Sequence, residues 1–270
     1  EIKSGYGLSL ETELKMLRVV QRAKSLTRMP LYATFLGAHA VPKRHQGQRE
    51  TYFEEVIQKM LPAIASEELA DFVDIFCEEQ YFTPTELTRL AEAADKLGMP
   101  LKAHVNQFTS TGGLQASIAA NALSVDHLEV LTEDDLADLS KAWSSGQGPM
   151  PVALPGCSLF LDIPYTPGRR LIDAGLPLAI ASDFNPGSAP SSNLLTAWSL
   201  ACHQMKLSPI EALVGLTLNG AAALKASTRF GSIALGKEAH VCLSKPIERL
   251  ASIPYRFGEH LIEHTFVFGQ

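Results

Sequence analysis

The sequence lacks most of the devices that mark a specialised chain. No apolar run approaches the about 18 residues that a bilayer span needs, so the 270 residues give no sign of a membrane-spanning helix and no membrane partner is expected. The four cysteines, Cys77, Cys157, Cys202 and Cys242, are scattered and form no C-x-x-C pair. In a chain of this size they read as reduced thiols, and the expected compartment is the cytoplasm. Neither G-x-G-x-x-G nor G-x-x-x-x-G-K-[ST] occurs, so the phosphate-cradling motifs are missing. There is also no field of one sign. The net charge is −6 with acids and bases interspersed, which leaves no electrostatic footprint for nucleic acid. The sequence opens at Glu1-Ile2-Lys3 without Met or a signal peptide. These residues read as a strand, so further chain is expected upstream.

What is present is a core-forming chain with 46% apolar residues, long enough for one large domain. Short β-rich runs alternate with helical patterns. Strands are expected at Glu1–Lys3, Leu31–Leu36, Phe72–Phe76, Pro100–Ala103, Ala122–Val125, Pro151–Leu154 and Leu178–Ala181. Helices are expected at Glu11–Ser25, Tyr52–Ile64, Leu87–Leu97 behind a Thr83-Pro84 start, Leu114–Ala120, Thr132–Lys141, Arg169–Ala174, Leu194–Met205 and Pro209–Leu216. Seven βα units of this length fit a (β/α)8 TIM-type barrel whose first strand is missing, with an open doubly wound sheet as the alternative. From about Phe230 the texture changes to turn glycines and short alternating runs. Residues 1–229 are therefore read as a barrel incomplete at its start. Residues 230–270 are read as part of a small β-sandwich-like domain.

The chemistry gathers where strands end. The apolar run Leu178–Ala181 stops at Ser182-Asp183 and enters the turn Asn185-Pro186-Gly187-Ser188. A carboxylate at the end of a buried strand is costly unless something positive meets it, and a metal ion is one such partner. His104 and His127 also follow strands, and imidazole with carboxylate suits zinc or iron. Tyr6, His39 and Glu78 lie at further strand ends, and in a barrel all these ends share one mouth. Blander readings stand beside each. Gly5-Tyr6-Gly7 could be only a turn. Asn185-Pro186-Gly187 could be only a loop closure, or an anion-binding turn. Cys77 and Cys157 read as inert buried thiols. His45, His203, His240, His260 and His264 lack strand-end placement and read as ordinary surface or core histidines.

The stretches EIKSGYGL (1–8), TFLGAHAVP (34–42), VDIFCE (73–78), SVDHLE (124–129), LPG (154–156), SDFNPGS (182–188) and the C-terminal FGEHLIEH resemble the imidazolonepropionases. These are metal-dependent amidohydrolases of histidine degradation. The resemblance runs from Glu1 to the end of the chain. It implies a barrel of the amidohydrolase type and hydrolytic opening of 4-imidazolone-5-propanoate to N-formimidoyl-L-glutamate. It implies one zinc or iron ion with ligands at His104 and Asp183, and catalytic roles for His127, Asp183 and Gln107. It implies substrate contacts from Tyr6, His39, Gln107, Asn185, Gly187 and Ser188, and it makes a homodimer possible.

Two departures accompany the resemblance. Gln107 stands in a segment where the family usually has an acid, so it can hydrogen-bond an amide-like ring but cannot act as a base. The family's His-x-His pair and substrate arginine do not occur, so the sequence reads as the C-terminal two-thirds of such an enzyme. The competing readings are another amidohydrolase, such as a cyclic-amide hydrolase or nucleobase deaminase, and a non-catalytic binding protein.

Overall fold

A computed structural model describes residues 1–270. The chain forms two compact units: Glu1–Val125 with Ser144–Pro149, and Asp126–Trp143 with Met150–Gln270.

The first unit alternates strand and helix. β1 (Ile2–Lys3) leads to α1 (Leu10–Leu26), capped by the Ser9 hydroxyl accepting from the Thr12 N–H. Leu14, Leu17 and Val20 fall on one side of α1 and are buried. β2 (Ala33–Ala38) is followed by α2 (Arg49–Glu55) and α3 (Leu61–Ser66), joined without a break by a π turn over Val56–Met60. Pro62 explains the wide turn, because it has no N–H for the usual bond four residues back. Then come β3 (Phe72–Cys77), α4 (Pro84–Asp95), β4 (Leu101–Val105), α5 (Gly113–Ala119) and β5 (Ser124–His127), where the chain passes into the second unit. The expected start of α4 is a full capping box between Thr83 and Glu86, with Pro84 in the first turn. β1 to β4 pair in parallel, and β2, β3 and β4 are buried along their whole length, as parallel strands covered on both faces must be.

The second unit continues the pattern with α6 (Glu133–Ser144), β6 (Met150–Ala153), α7 (Pro155–Leu161), α8 (Gly168–Asp173), β7 (Ala179–Ile180) and α9 (Leu194–His203). Thr132 and Asp135 exchange hydrogen bonds at the start of α6, as their spacing predicts. β6 and β7 pair in parallel, Val152 opposite Ala179. The apolar core here is Met150, Val152, Leu154, Cys157, Ala179, Ala189 and Ala223. α10 (Pro209–Val214) runs through a second π turn, Gly215–Asn219, into α11 (Gly220–Ala222). A side chain at Gly215 would stand 2.9 Å from the Leu178 carbonyl, so only glycine lets this helix lie against β7. Asn219 completes the contact by donating to that same carbonyl at 3.0 Å.

The strands follow one another in chain order, β1 to β5 in the first unit and β5 to β7 in the second. These are the seven parallel strands expected from the sequence. The C-terminal segment instead pairs β8 (Val241–Ser244) with β9 (Ile262–Phe266) in antiparallel fashion, with α12 (Ser252–Tyr255) between them. No helix is long and apolar enough to cross a membrane.

Candidate metal centre

In the first unit the candidate residues are brought together by ring contacts. Tyr6 meets His39 edge-on, with ring centroids 5.2 Å apart. Phe76 lies 6.2 Å from His39 and 6.3 Å from His104. The turn carrying Tyr6 is built around a buried carboxylate. Glu13 of α1 accepts backbone N–H bonds from Gly5, Gly7 and Leu8 at 3.0, 2.8 and 2.8 Å. Gly5 has φ +106°, and a Cβ there would sit 2.6 Å from the Leu36 carbonyl. The Gly5 carbonyl in turn meets His39 Nδ1 at 2.9 Å. Tyr6 is thus left half-exposed on a fixed loop, with 51% of its surface accessible. Burial lowers the pKa of His39 despite the bond to Gly5, which favours the neutral ring.

His104 lies within β4 rather than beyond it, buried, with Nδ1 3.0 Å from Asp74 Oδ1. Asp74 is fully buried on β3 and is bonded on both oxygens. Oδ1 also accepts the Ile75 N–H at 2.7 Å, and Oδ2 accepts from Lys3 Nζ at 2.6 Å. Burial alone would raise the Asp74 pKa, but His104 and Lys3 outweigh it and the carboxyl is held well below the usual range. Glu1 bridges Lys3 at 3.3 Å and Lys102 at 2.7 Å, and Thr34 donates to it. Burial opposes ionisation of Glu1, yet the two lysines bring its pKa down to about 2.

The Gln107 side chain is buried in the loop after β4. That loop is pinned by Glu78 at the end of β3, which accepts the Phe108 and Thr109 N–H groups at 2.9 and 3.3 Å and the Thr109 hydroxyl. Glu78 therefore shapes the loop that carries Gln107.

In the second unit His127 is buried at the end of β5 with φ +86°, and Leu128 follows at +63°. Two successive non-glycine residues in this region store backbone strain. The Thr166 hydroxyl donates to the His127 carbonyl at 2.6 Å, and His127 Nδ1 lies 3.3 Å from Glu129 Oε1. Glu129 is buried and also accepts from the Ser158 hydroxyl at 3.2 Å, while its Oε2 has no hydrogen-bond partner. Asp183 is half-buried with φ +51°. Asn185 folds the turn behind it. Its Oδ1 accepts the Gly187 and Ser188 N–H groups, both at 2.8 Å, and its Nδ2 donates to the Asp183 carbonyl at 2.6 Å and to Ser188 Oγ at 3.0 Å. Asn185, Gly187 and Ser188 are thus one closed turn. The Cys157 thiol is pushed up to about 12 by burial, with Asp183 adding to the rise. Cys77 is raised to about 12 in the same way. Both are inert thiols at neutral pH.

In the first unit the buried Asp74 and His104 offer ligand atoms of the kind a catalytic metal takes. Of these only His104 stands out in the sequence. Asp74, Asp126 and Glu129 lie inside or just beyond apolar strands. The one available signal was charge in a run that is otherwise wholly buried.

Comparison with known proteins fixes the family. The model of the amidohydrolase family matches residues 2–267. An imidazolonepropionase of Flavobacterium johnsoniae is 50% identical over 270 residues, covering all of this chain and 64% of the relative. That of Christiangramia forsetii is 48% identical with the same coverage, and that of Alkaliphilus oremlandii is 38% identical over 271 residues. The chain therefore spans a little under two thirds of the length of the curated relatives it matches. Among solved structures, a triazine hydrolase variant superimposes with TM-score 0.73 at 16% identity, over 94% of this chain and 63% of that one. A 5-methylcytosine deaminase from Klebsiella pneumoniae gives 0.72 at 17%, over 97% and 66%. These distant likenesses show the fold alone. With the βα order, the strand-end histidines and a family match from residue 2 to residue 267, the chain belongs to the amidohydrolase family.

Proposed function

We propose that this chain carries the larger part of an imidazolonepropionase, which opens the ring of 4-imidazolone-5-propanoate with water to give N-formimidoyl-L-glutamate. The observation that carries the reading is 50% identity over all 270 residues to a protein of that name. The structural neighbours with other substrates in their names stand at 16 and 17%.

The donor set fits a metal. The His104 ring is held through Nδ1 by an ionised carboxylate, which points to Nε2 as its ligating atom. Imidazole and carboxylate donors suit zinc and iron alike, and Asp183 is the second ligand of the proposal. When bound, such an ion supplies a water of lowered pKa. The roles of the chain's own residues follow. Asp183 accepts a proton from the attacking water, and the proton returns to the ring nitrogen as the C–N bond opens. His127, oriented by Glu129, stabilises the oxyanion that develops at the ring carbonyl. His39, kept neutral by burial, hydrogen-bonds the substrate together with Tyr6 and Gln107. Asn185, Gly187 and Ser188 form the turn against which the propionate is oriented, which is the proximity part of the rate. The proposed setting is a cytoplasmic, homodimeric enzyme with a small-molecule substrate.

The test is turnover of 4-imidazolone-5-propanoate against cytosine and guanine. Ring opening of the first alone is expected, with Tyr6→Phe raising KM or lowering kcat while the melting temperature stays put. Preferential turnover of a nucleobase would refute the assignment.

A further inference from the structure

A barrel interior is ordinarily packed with layers of branched apolar side chains. In the first unit one layer is ionic instead. It runs from Lys102 on β4 to Glu1, to Lys3 on β1, to Asp74 on β3, and ends on His104. Two cations and two anions balance. The Lys102 ammonium also lies 5.4 Å from the Phe72 ring centre. Burying such groups is expensive, and replacing them by well-packed apolar side chains is often neutral or stabilising. A layer of this kind is therefore weak evidence for stability and better evidence for a defined geometry at its end.

Asp74 occupies the decisive place. As a metal ligand it would have to surrender one oxygen. Oδ1 already accepts from His104 and from the Ile75 N–H, and Oδ2 accepts from Lys3. An ionised carboxylate can only accept hydrogen bonds, so the Asp74–His104 contact requires the proton on Nδ1 of the ring. Strand register supports this. Asp74 and Phe76 stand opposite Lys102 and His104 on neighbouring strands, so the ring and its carboxylate are held by two paired backbones and not by a loop.

We infer that Asp74 and Lys3 are positioning residues: Asp74 holds the Nδ1–H of His104 so that Nε2 is the ligating nitrogen, and Lys3 fixes Asp74 in that role. The inference rests on the reading of His104 as a metal ligand and assigns Asp74 to the support of that ligand, not to the ion. Outer partners of this kind change metal affinity by about 10- to 100-fold.

Two measurements on the intact protein test it. The first is the 15N-detected tautomer of His104 in metal-free protein. Nδ1–H is expected in the wild type, and Lys3→Met should lose it or mix it with Nε2–H. A wild-type ring protonated on Nε2 overturns the inference. The second is zinc affinity against a competing chelator. Lys3→Met and Asp74→Asn should each weaken zinc about 10- to 100-fold, the double variant no more than the worse single one, and Lys3→Arg should restore most of the loss. If His104→Ala abolishes zinc binding while Lys3→Met and Asp74→Asn bind as the wild type does, the positioning role is wrong and the metal reading survives. If His104→Ala itself binds zinc normally, the metal reading fails and the inference with it.

Discussion

The Asp74 network of the first unit and the Asp183 turn of the second are held by different physics. In the first, the partners are far apart in sequence. Asp74 meets His104 thirty residues on and Lys3 seventy-one residues back, and Lys102 meets Glu1 across one hundred and one. In the second, the Asp183 turn is closed by the amide of Asn185, which reaches only two or three residues to either side. A long-range buried network forms only once the strands are in register, so it is set by the fold and cannot shift without it. A short-range turn folds by itself and can rearrange without disturbing the core. The Asp74 network is thus the rigid one of the pair and the Asp183 turn the adaptable one.

The largest test of that contrast is removal of one carboxylate from each side. Asp74→Ala leaves the partly buried Lys3 with a single remaining acid, takes the acceptor from His104 and the Ile75 N–H, and should cost about 3–5 kcal/mol. Asp183→Ala, half-buried on its turn, should stay within about 1 kcal/mol. Urea unfolding of both variants measures the difference, and equal losses would erase the distinction.

Acid comes next. Glu1 is held at about 2, below its ordinary value, so its contribution is present in full above about pH 4.5 and is lost as pH falls toward 2. On the order of 3 kcal/mol is at stake for this group. Lys3→Met should flatten the fall in stability over that window. An unchanged slope would mean that the lysine does not hold the ionic layer together.

The smallest effect is expected at Asn185. Its replacement by Ala removes the acceptor for two backbone N–H groups and should cost about 1 kcal/mol. Because the turn is local, the loss should appear mainly as a raised KM for the proposed substrate. A change in kcat alone would place Asn185 in the chemistry instead.

Much of this architecture was legible in the sequence, because periodicity and capping are local. The alternation of strands and helices, the Thr83 and Thr132 starts and the ends bearing His127 and Asp183 follow from neighbouring residues. Three features were not legible. α7 was hidden behind the end of the expected strand Pro151–Leu154, although proline at position 155 is well suited to a first helical turn. The π turns were hidden because the helical pattern continues across them. Lys3, Asp74 and Lys102 were hidden because a charge inside a strand acquires meaning only from the strand beside it, and register is a long-range property.

Each unit also carries one sealed thiol, Cys77 in the first and Cys157 in the second, both fully buried and both raised to about 12. An alkylating reagent reaches neither until the surrounding half opens. Cys242 is exposed and Cys202 partly so, which supplies an immediate internal standard in the same reaction. Labelling followed by mass spectrometry would therefore run two independent clocks in one tube. Matched rates would mean that both halves breathe as one cooperative body, and separated rates would say which half lets go first.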